Sequence, residues 1–332
     1  MIRTLPRHFP AALTAALLCC SLLPGCGSGG GEAKTPDAPL LPPTTAVAGR
    51  GFPLTAPWVS FYGPAGQMGG LDKAASTFRI LNIDADPGTG NFTPQQIAQL
   101  KAGGKNRVIS YFNIGSMESF RTYWTQVPAD FVAGKSNTAA HLGPYTGYPD
   151  ETWMDLSNAD YQHLIVDYVA PRLVAQGVDG FFLDNMELVE HSPQDTNGPC
   201  SLACRQGGLD LVRRLREKYP NLLIVMQNST GDVTRQGTTA GVSFPSLLDG
   251  VAHEEAYAPD PDTSALPELR AWSALKLRPG GQPFWIATED YVGSCANSDA
   301  ALKVYTASRA EGFSPYVTDA SARQQGVCYW PF

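Results

Sequence analysis

Three catalytic signatures are missing from this chain of 332 residues: G-x-x-x-x-G-K-[ST], G-x-S-x-G and H-E-x-x-H. Their absence removes the sequence support for a phosphate-binding loop, a serine-hydrolase elbow and a zincin-type metalloprotease. His253-Glu254-Glu255 starts like the last of these, but position 257 is Tyr257 rather than histidine. Positive charge is scarce as well. Lys and Arg total 24 against 31 Asp and Glu, for a formal charge of −7. Two of those cations, Arg3 and Arg7, lie in an N-terminal leader, so the remainder is more acidic still. Nucleic-acid binders need a basic footprint, and none is present. Long apolar runs are also lacking. The one candidate, 11–23, is too short for a comfortable transmembrane helix.

That N-terminal run has another reading. Arg3 and Arg7 precede it, and it ends in Leu23-Pro24-Gly25-Cys26. A basic start, a short apolar centre and small residues before the cut describe a secretory signal, here 1–25. A cysteine directly after the cut looks like a bacterial lipobox, with Cys26 as the lipidated first residue; an ordinary secreted protein cut nearby is the alternative. The expected location is therefore outside the cytoplasm, lipid-anchored to the bacterial cell envelope at the outer membrane, with the membrane touched only through that lipid. Residues 26–55 are Gly, Ser, Pro, Ala and Thr with almost no apolar pattern and read as a tether. Residues 56–332 are left for one folded domain, expected to be a monomer.

Seven cysteines occur. Cys19 and Cys20 leave with the leader, and Cys26 carries the lipid. Cys200, Cys204, Cys295 and Cys328 remain, an even number in an exported chain, which suggests two disulfides. Four cysteines allow three pairings. Cys200 with Cys204 and Cys295 with Cys328 is preferred because the first pair shares one loop. A zinc site would need a second close pair or nearby histidines, which are lacking. No metal or other cofactor is expected.

From Trp58 onward β-prone runs recur at 58–62, 78–83, 107–114, 178–184, 222–227, 247–257, 284–288 and 313–318. Helical patterns or long loops separate most of them. Thr93-Pro94 is an N-cap with proline at the first helical position. Leu164, Ile165, Tyr168, Val169 and Leu173 recur at helical spacing before Gly177. Eight strands with intervening helices predict a (β/α)8 TIM barrel in a single domain. A doubly wound sheet is the competitor, but the first strand lacks its Gly-rich phosphate turn.

In a barrel the C-terminal strand ends face one mouth. Val178-Asp179-Gly180-Phe181-Phe182-Leu183-Asp184-Asn185 reads as a strand covered on both faces that delivers Asp184 to that rim. The other strand ends supply Asp84, Tyr111, Asn113, Glu118, Asn185, Gln227, Asn228, Glu255, Tyr257 and Asp290. Carboxylates, amides and aromatics at nearly every strand end describe a polysaccharide cleft, in which rings stack on sugar faces and amides fix hydroxyls. Glycoside hydrolysis needs two carboxyl groups, one ionised and one protonated. Asp184 and Glu254, from the fourth and sixth strands, form the natural pair. Period-two alternation puts Glu254 and Glu255 on opposite faces and favours Glu254 for the mouth.

The run Val108-Ile109-Ser110-Tyr111-Phe112-Asn113-Ile114-Gly115-Ser116-Met117-Glu118-Ser119-Phe120-Arg121 resembles the third-strand signature of glycoside hydrolase family 114, the endo-α-1,4-polygalactosaminidases. Asp179 to Asn185 resembles that family's fourth-strand signature, Gln227-Asn228 its fifth-strand amides, and Glu254-Glu255 its sixth-strand acids. The resemblance implies a barrel that cuts within α-1,4-linked galactosamine-rich polysaccharide. It also implies Asp184 as nucleophile and Glu254 as general acid/base in a retaining mechanism. The expected partner is thus a cationic amino-sugar polymer, suited to an acidic mouth. Two departures stand out: Ala256 where many fungal members have cysteine, and a 192–204 insertion with its own cysteine pair.

Overall fold

A computed structural model describes residues 56–275 and 284–332. The expected leader, Cys26 and most of the tether lie outside those residues. Eight parallel strands form the central sheet in chain order: β1 (Trp58–Phe61), β2 (Ile80–Ile83), β3 (Arg107–Asn113), β4 (Gly180–Asp184), β5 (Leu223–Gln227), β6 (Gly250–Glu254), β7 (Trp285–Val292) and β8 (Ser314–Asp319). Each pairs with the next, and helices fill the connections, which is a (β/α)8 barrel. Nearly every strand residue is buried, because the outer face lies under helices and the inner face fills the barrel.

The seam between β1 and β8 is bridged by a side chain. Trp58 donates its indole N–H to the Ser314 carbonyl at 2.7 Å. Its ring also meets Phe182, Trp285 and Tyr316 at 6.2, 5.8 and 5.9 Å, so one indole plugs the floor of the barrel. By alternation Ser60 and Tyr62 share its face. Asn82 of β2 donates to both their hydroxyls, at 3.0 and 2.8 Å. Above the aromatic floor the interior is therefore polar.

The helices follow local chemistry. Thr93 caps Pro94–Leu100 with a reciprocal capping box through Gln96. Ser201 caps the helix Leu202–Lys218 by accepting from the Cys204 amide, so the first cysteine pair staples a helix start. Both preferred disulfides are present, Cys200–Cys204 and Cys295–Cys328, with Cα separations of 5.3 and 5.1 Å.

Three differences from the sequence expectation shape the mouth. A three-stranded antiparallel sheet (Ser116–Glu118, His141–Pro144, Glu151–Met154) stands between β3 and β4 and forms one wall. Gly115 lets this wall meet the loop after β4: a Cβ there would lie 1.8 Å from the Asn185 carbonyl oxygen. The sixth strand is shorter than 247–257, because Glu255 turns left-handed at φ 52° and ends the extended run. The seventh is longer than 284–288 and continues to Val292, so Glu289 and Asp290 lie within it rather than after it.

Candidate active site

Asp184 ends β4 and Glu254 ends β6, with Gln227 ending β5 between them. The residue after each strand, Asn185, Asn228 and Glu255, is left-handed at φ 60, 57 and 52°. Asparagine tolerates that region better than most residues. Each such turn stops the strand and leaves its last side chain at the rim.

Glu254 is held at both oxygens. Asn228 donates to Oε2 at 2.8 Å and accepts the Glu254 amide at 2.9 Å, gripping backbone and carboxylate together. The Tyr291 hydroxyl donates to Oε1. Asn228 thus serves the acid rather than standing open to a sugar. Glu289, its register neighbour on β7, is 1% exposed. Burial, then the charge of Glu254, pushes the Glu289 carboxyl well above its usual range. The Tyr62 phenol is raised by burial and by Glu289, Asp184 and Glu254, which places the three acids around it.

Glu187, in the short helical turn Met186–Glu190 beyond Asp184, was not singled out by sequence. Its carboxyl is pushed up to about 8 by burial, then by Asp184, with Glu254 and Glu151 adding to the effect. Tyr145 donates to its Oε1 at 3.4 Å. Tyr145 stacks on Trp153 at 4.0 Å, and the Trp153 indole donates to Asn197 at 2.8 Å, so an aromatic wall ends at Glu187. A lone acid one turn past a strand gives no periodic signal. Its neighbours come from an insertion whose placement spacing does not predict.

On the opposite flank Arg121 gathers acids. Its guanidinium reaches both Asp84 oxygens at 3.0 Å, Glu118 at 2.7 Å and Asp86 at 3.5 Å. Arg172 adds a second cation on Asp86 at 3.2 Å. Burial raises the Asp84 carboxyl while Arg121 pulls it down. Tyr111 donates to Glu118 at 3.3 Å and packs on Tyr62 at 4.7 Å. A cavity of about 370 Å³ opens here, lined by Tyr62, Asp84, Tyr111, Glu118, Phe120 and Arg121. Asp84, Tyr111 and Glu118 therefore line the mouth, as expected, but the charges of the two acids are engaged.

Four expected sugar contacts lie elsewhere. Asn113 and Asn185 both donate to Glu151, at 3.1 and 3.0 Å, and to Ser116, at 2.9 and 2.8 Å. They tie β3, β4 and the inserted sheet together, because Glu151 gathers donors from both strands. Asp290 faces outward, one residue off the inward positions of Glu289 and Tyr291. It is fully buried and accepts the Tyr257 and Ala258 amides at 2.6 and 3.0 Å. Burial lifts its carboxyl to about 7. Tyr257 packs outside the barrel with Val292, Val304 and Tyr305, having left the strand at Glu255. Glu255 itself donates its amide to the Glu289 carbonyl at 2.8 Å. Gln227 stays inside, 3% exposed.

The arrangement brings two carboxyl groups from alternate strands to one rim, with Glu254 held by Asn228 and Tyr291. That is the equipment for acid-assisted displacement at a carbon bearing a leaving oxygen. Comparison with known proteins agrees. The description "Glycoside-hydrolase family GH114" matches residues 55–331. A Deinococcus radiodurans protein described only as uncharacterized is 25% identical over 313 residues, covering 89% of this chain and 90% of that one. A Thermotoga maritima protein, likewise uncharacterized, is 26% identical over 259 residues, covering 74% and 76%. Among solved structures, the glycoside hydrolase domain of PelA from Pseudomonas aeruginosa superposes with a TM-score of 0.58 at 17% identity, covering 81% of this chain and 96% of that domain.

Proposed function

This chain belongs to glycoside-hydrolase family GH114, and we propose that it is an endo-acting hydrolase of α-1,4-linked galactosamine-rich polysaccharide. The observation that carries the reading is the pair Asp184 and Glu254 at the C-terminal ends of β4 and β6, on one rim. Asp184 attacks the anomeric carbon while Glu254 protonates the departing oxygen, giving a glycosyl-enzyme and one freed chain end. Glu254 then takes a proton from water, which attacks the same carbon and releases Asp184. The net acidity of the chain suits a polymer whose de-acetylated units are cationic. The same proposal places the domain on a tether at the bacterial outer membrane, anchored through lipid on Cys26. Substituting Cys26→Ser and finding the protein still in the membrane fraction would remove that anchor.

The reaction is tested with the chain from Gly49 onward and its Asp184→Ala counterpart, on α-1,4-galactosamine polymers of graded acetylation. New reducing ends from the native protein alone are the expected result. Ends from both proteins would refute Asp184, and none from either, with the polymer still bound, would favour a surface polysaccharide-binding lipoprotein. The anomer first released, read by proton NMR, tests retention.

A further inference from the structure

Resting on that reading, we propose an outer sugar-binding position on Tyr145 and Tyr148, with Asn197 as the residue that positions it and thereby sets a preference for longer chains. This position lies on the inserted sheet, beyond the ring seated over the acids. Its foundation is Trp153. By alternation Trp153 shares a strand face with Glu151, the acid tied to Asn185 in the loop after β4. The indole is 1% exposed, so it backs the wall and leaves the sugar-facing side to others. Tyr145 stacks on it at 4.0 Å, and Tyr148 packs on Tyr145 at 4.5 Å. Both tyrosines are half-buried. The Tyr145 hydroxyl reaches Glu187 at 3.4 Å, in the turn that follows Asp184. A sugar chain crossing Asp184 toward the inserted sheet therefore meets these rings. Tyrosine suits that place, with an apolar ring for the C–H face of a sugar and a hydroxyl that stays polar.

The wall is set from behind by the loop after β4. One oxygen, Asn197 Oδ1, accepts both the Trp153 indole N–H and the Thr146 amide, each at 2.8 Å. A single group thus pins the buried ring and the backbone of the turn that bears Tyr145 and Tyr148. The next residue, Gly198, is left-handed at φ 79°, and a Cβ there would lie 3.0 Å from Trp153. The loop backbone therefore presses directly on the indole. The loop is also closed on itself, which keeps Asn197 in place. His191 donates through Nδ1 to the Gly198 carbonyl at 2.9 Å, and Arg205 donates to the His191 carbonyl at 2.7 Å. Cys200 is bonded to Cys204 in the helix Leu202–Lys218. A face ordered in advance binds with less entropy left to lose.

The test uses α-1,4-linked galactosamine oligomers from trimer to octamer. With the native protein, kcat/KM should step up at the length that first spans both the acids and the wall. Asn197→Ala should erase about tenfold of that step, through KM rather than kcat, since it takes hydrogen bonds from the wall and none from the acids. Asn197→Asp keeps an acceptor for both donors and should recover most of the step. Tyr148→Ala should remove the step as well. Adding Asn197→Ala to it should cost little more, because both act through one wall. Calorimetric binding to a Glu254→Gln background gives the same comparison without turnover. Should Asn197→Ala fail to fold, Tyr148→Ala and Asn197→Asp carry the test.

Loss of kcat/KM by the same factor at every length, a change in kcat alone, or an unchanged step in Tyr148→Ala would each overturn the proposal. Hydrolysis with no dependence on length would remove the wall and leave the enzymatic reading standing. Length-dependent binding that disappears in Tyr148→Ala, with no hydrolysis by the native protein, would keep the wall and end that reading.

Discussion

The two flanks of the barrel mouth carry similar numbers of acids and use them differently. On the β2–β3 side Asp84, Asp86 and Glu118 share Arg121, with Arg172 behind Asp86. Across the mouth no Lys or Arg pairs with Glu254 or Glu289 among the described residues, and Glu254 is steadied by Asn228 and Tyr291 instead. An acid bonded to arginine has its charge balanced and its position fixed, which suits a wall. An acid steadied by neutral donors is positioned without a cation cancelling its charge, which suits chemistry. Counting acids at strand ends cannot separate the two; the position of the arginines does.

The sharpest break of this comparison is to neutralise one acid on each side. Glu254→Gln should lower turnover by roughly 10²–10⁴-fold, the usual contribution of a general acid. Its unfolding midpoint in urea should barely move. A substrate with a good aryloxide leaving group should lose much less, since it needs no proton. On the other flank Arg121→Met takes the guanidinium from three buried carboxyl groups, leaving Arg172 on Asp86 and the Tyr111 hydroxyl on Glu118, and breaking a buried network costs about 3–5 kcal/mol. Denaturation should show that loss directly. A folded Arg121→Met of native stability would refute the wall reading.

A smaller effect separates holding from reacting. Tyr291→Phe deletes one donor to Glu254 and leaves Asn228 in place. Turnover should fall about tenfold, on the scale of one hydrogen bond to a charged group. Steady-state kinetics should show the change in kcat rather than KM, because the ring and its packing persist. A change confined to KM would mean that Tyr291 touches substrate.

The barrel was legible because its signals are local and repeated. Val178 to Asp184 is apolar on both faces and ends in an acid, and the same rhythm recurs seven more times. The places of Asp184 and Glu254 at the ends of β4 and β6 were legible for the same reason. What local pattern could not show was direction. Asp290 and Tyr257 sit within a few residues of the acids, yet they pack outward, because β7 runs on to Val292 and β6 stops at a left-handed Glu255. Asn113 and Asn185 were read as sugar contacts, but Glu151 arrives from a sheet inserted between β3 and β4 and occupies both. Glu187 was passed over because, Asp184 apart, its environment of Tyr145, Glu151 and Glu254 comes from distant segments. Long-range partners, rather than propensity, account for the differences at Asn113, Asn185 and Glu187.

The finest test of the contrast uses stability alone. Glu187 has a folded value of about 8 against an ordinary 4.5, so the folded protein keeps a proton that the unfolded chain gives up. Its contribution to stability is therefore full below about pH 4.5 and is lost as pH rises toward 8. Glu187→Gln abolishes that titration while keeping the shape. The difference in unfolding free energy between variant and native protein should thus shift in the variant's favour from pH 4.5 to 8 and then level off. The side chain is only partly buried, so the gain should be about 1–2 kcal/mol rather than the full value of the shift. The same substitution at Glu118, on the arginine flank, should destabilise the protein at neutral pH, because it leaves Arg121 short of a partner. Urea unfolding of both variants across that pH range checks the pair. Opposite signs are what the two flanks require: a carboxyl crowded by acids costs stability, and a carboxyl held by arginine supplies it.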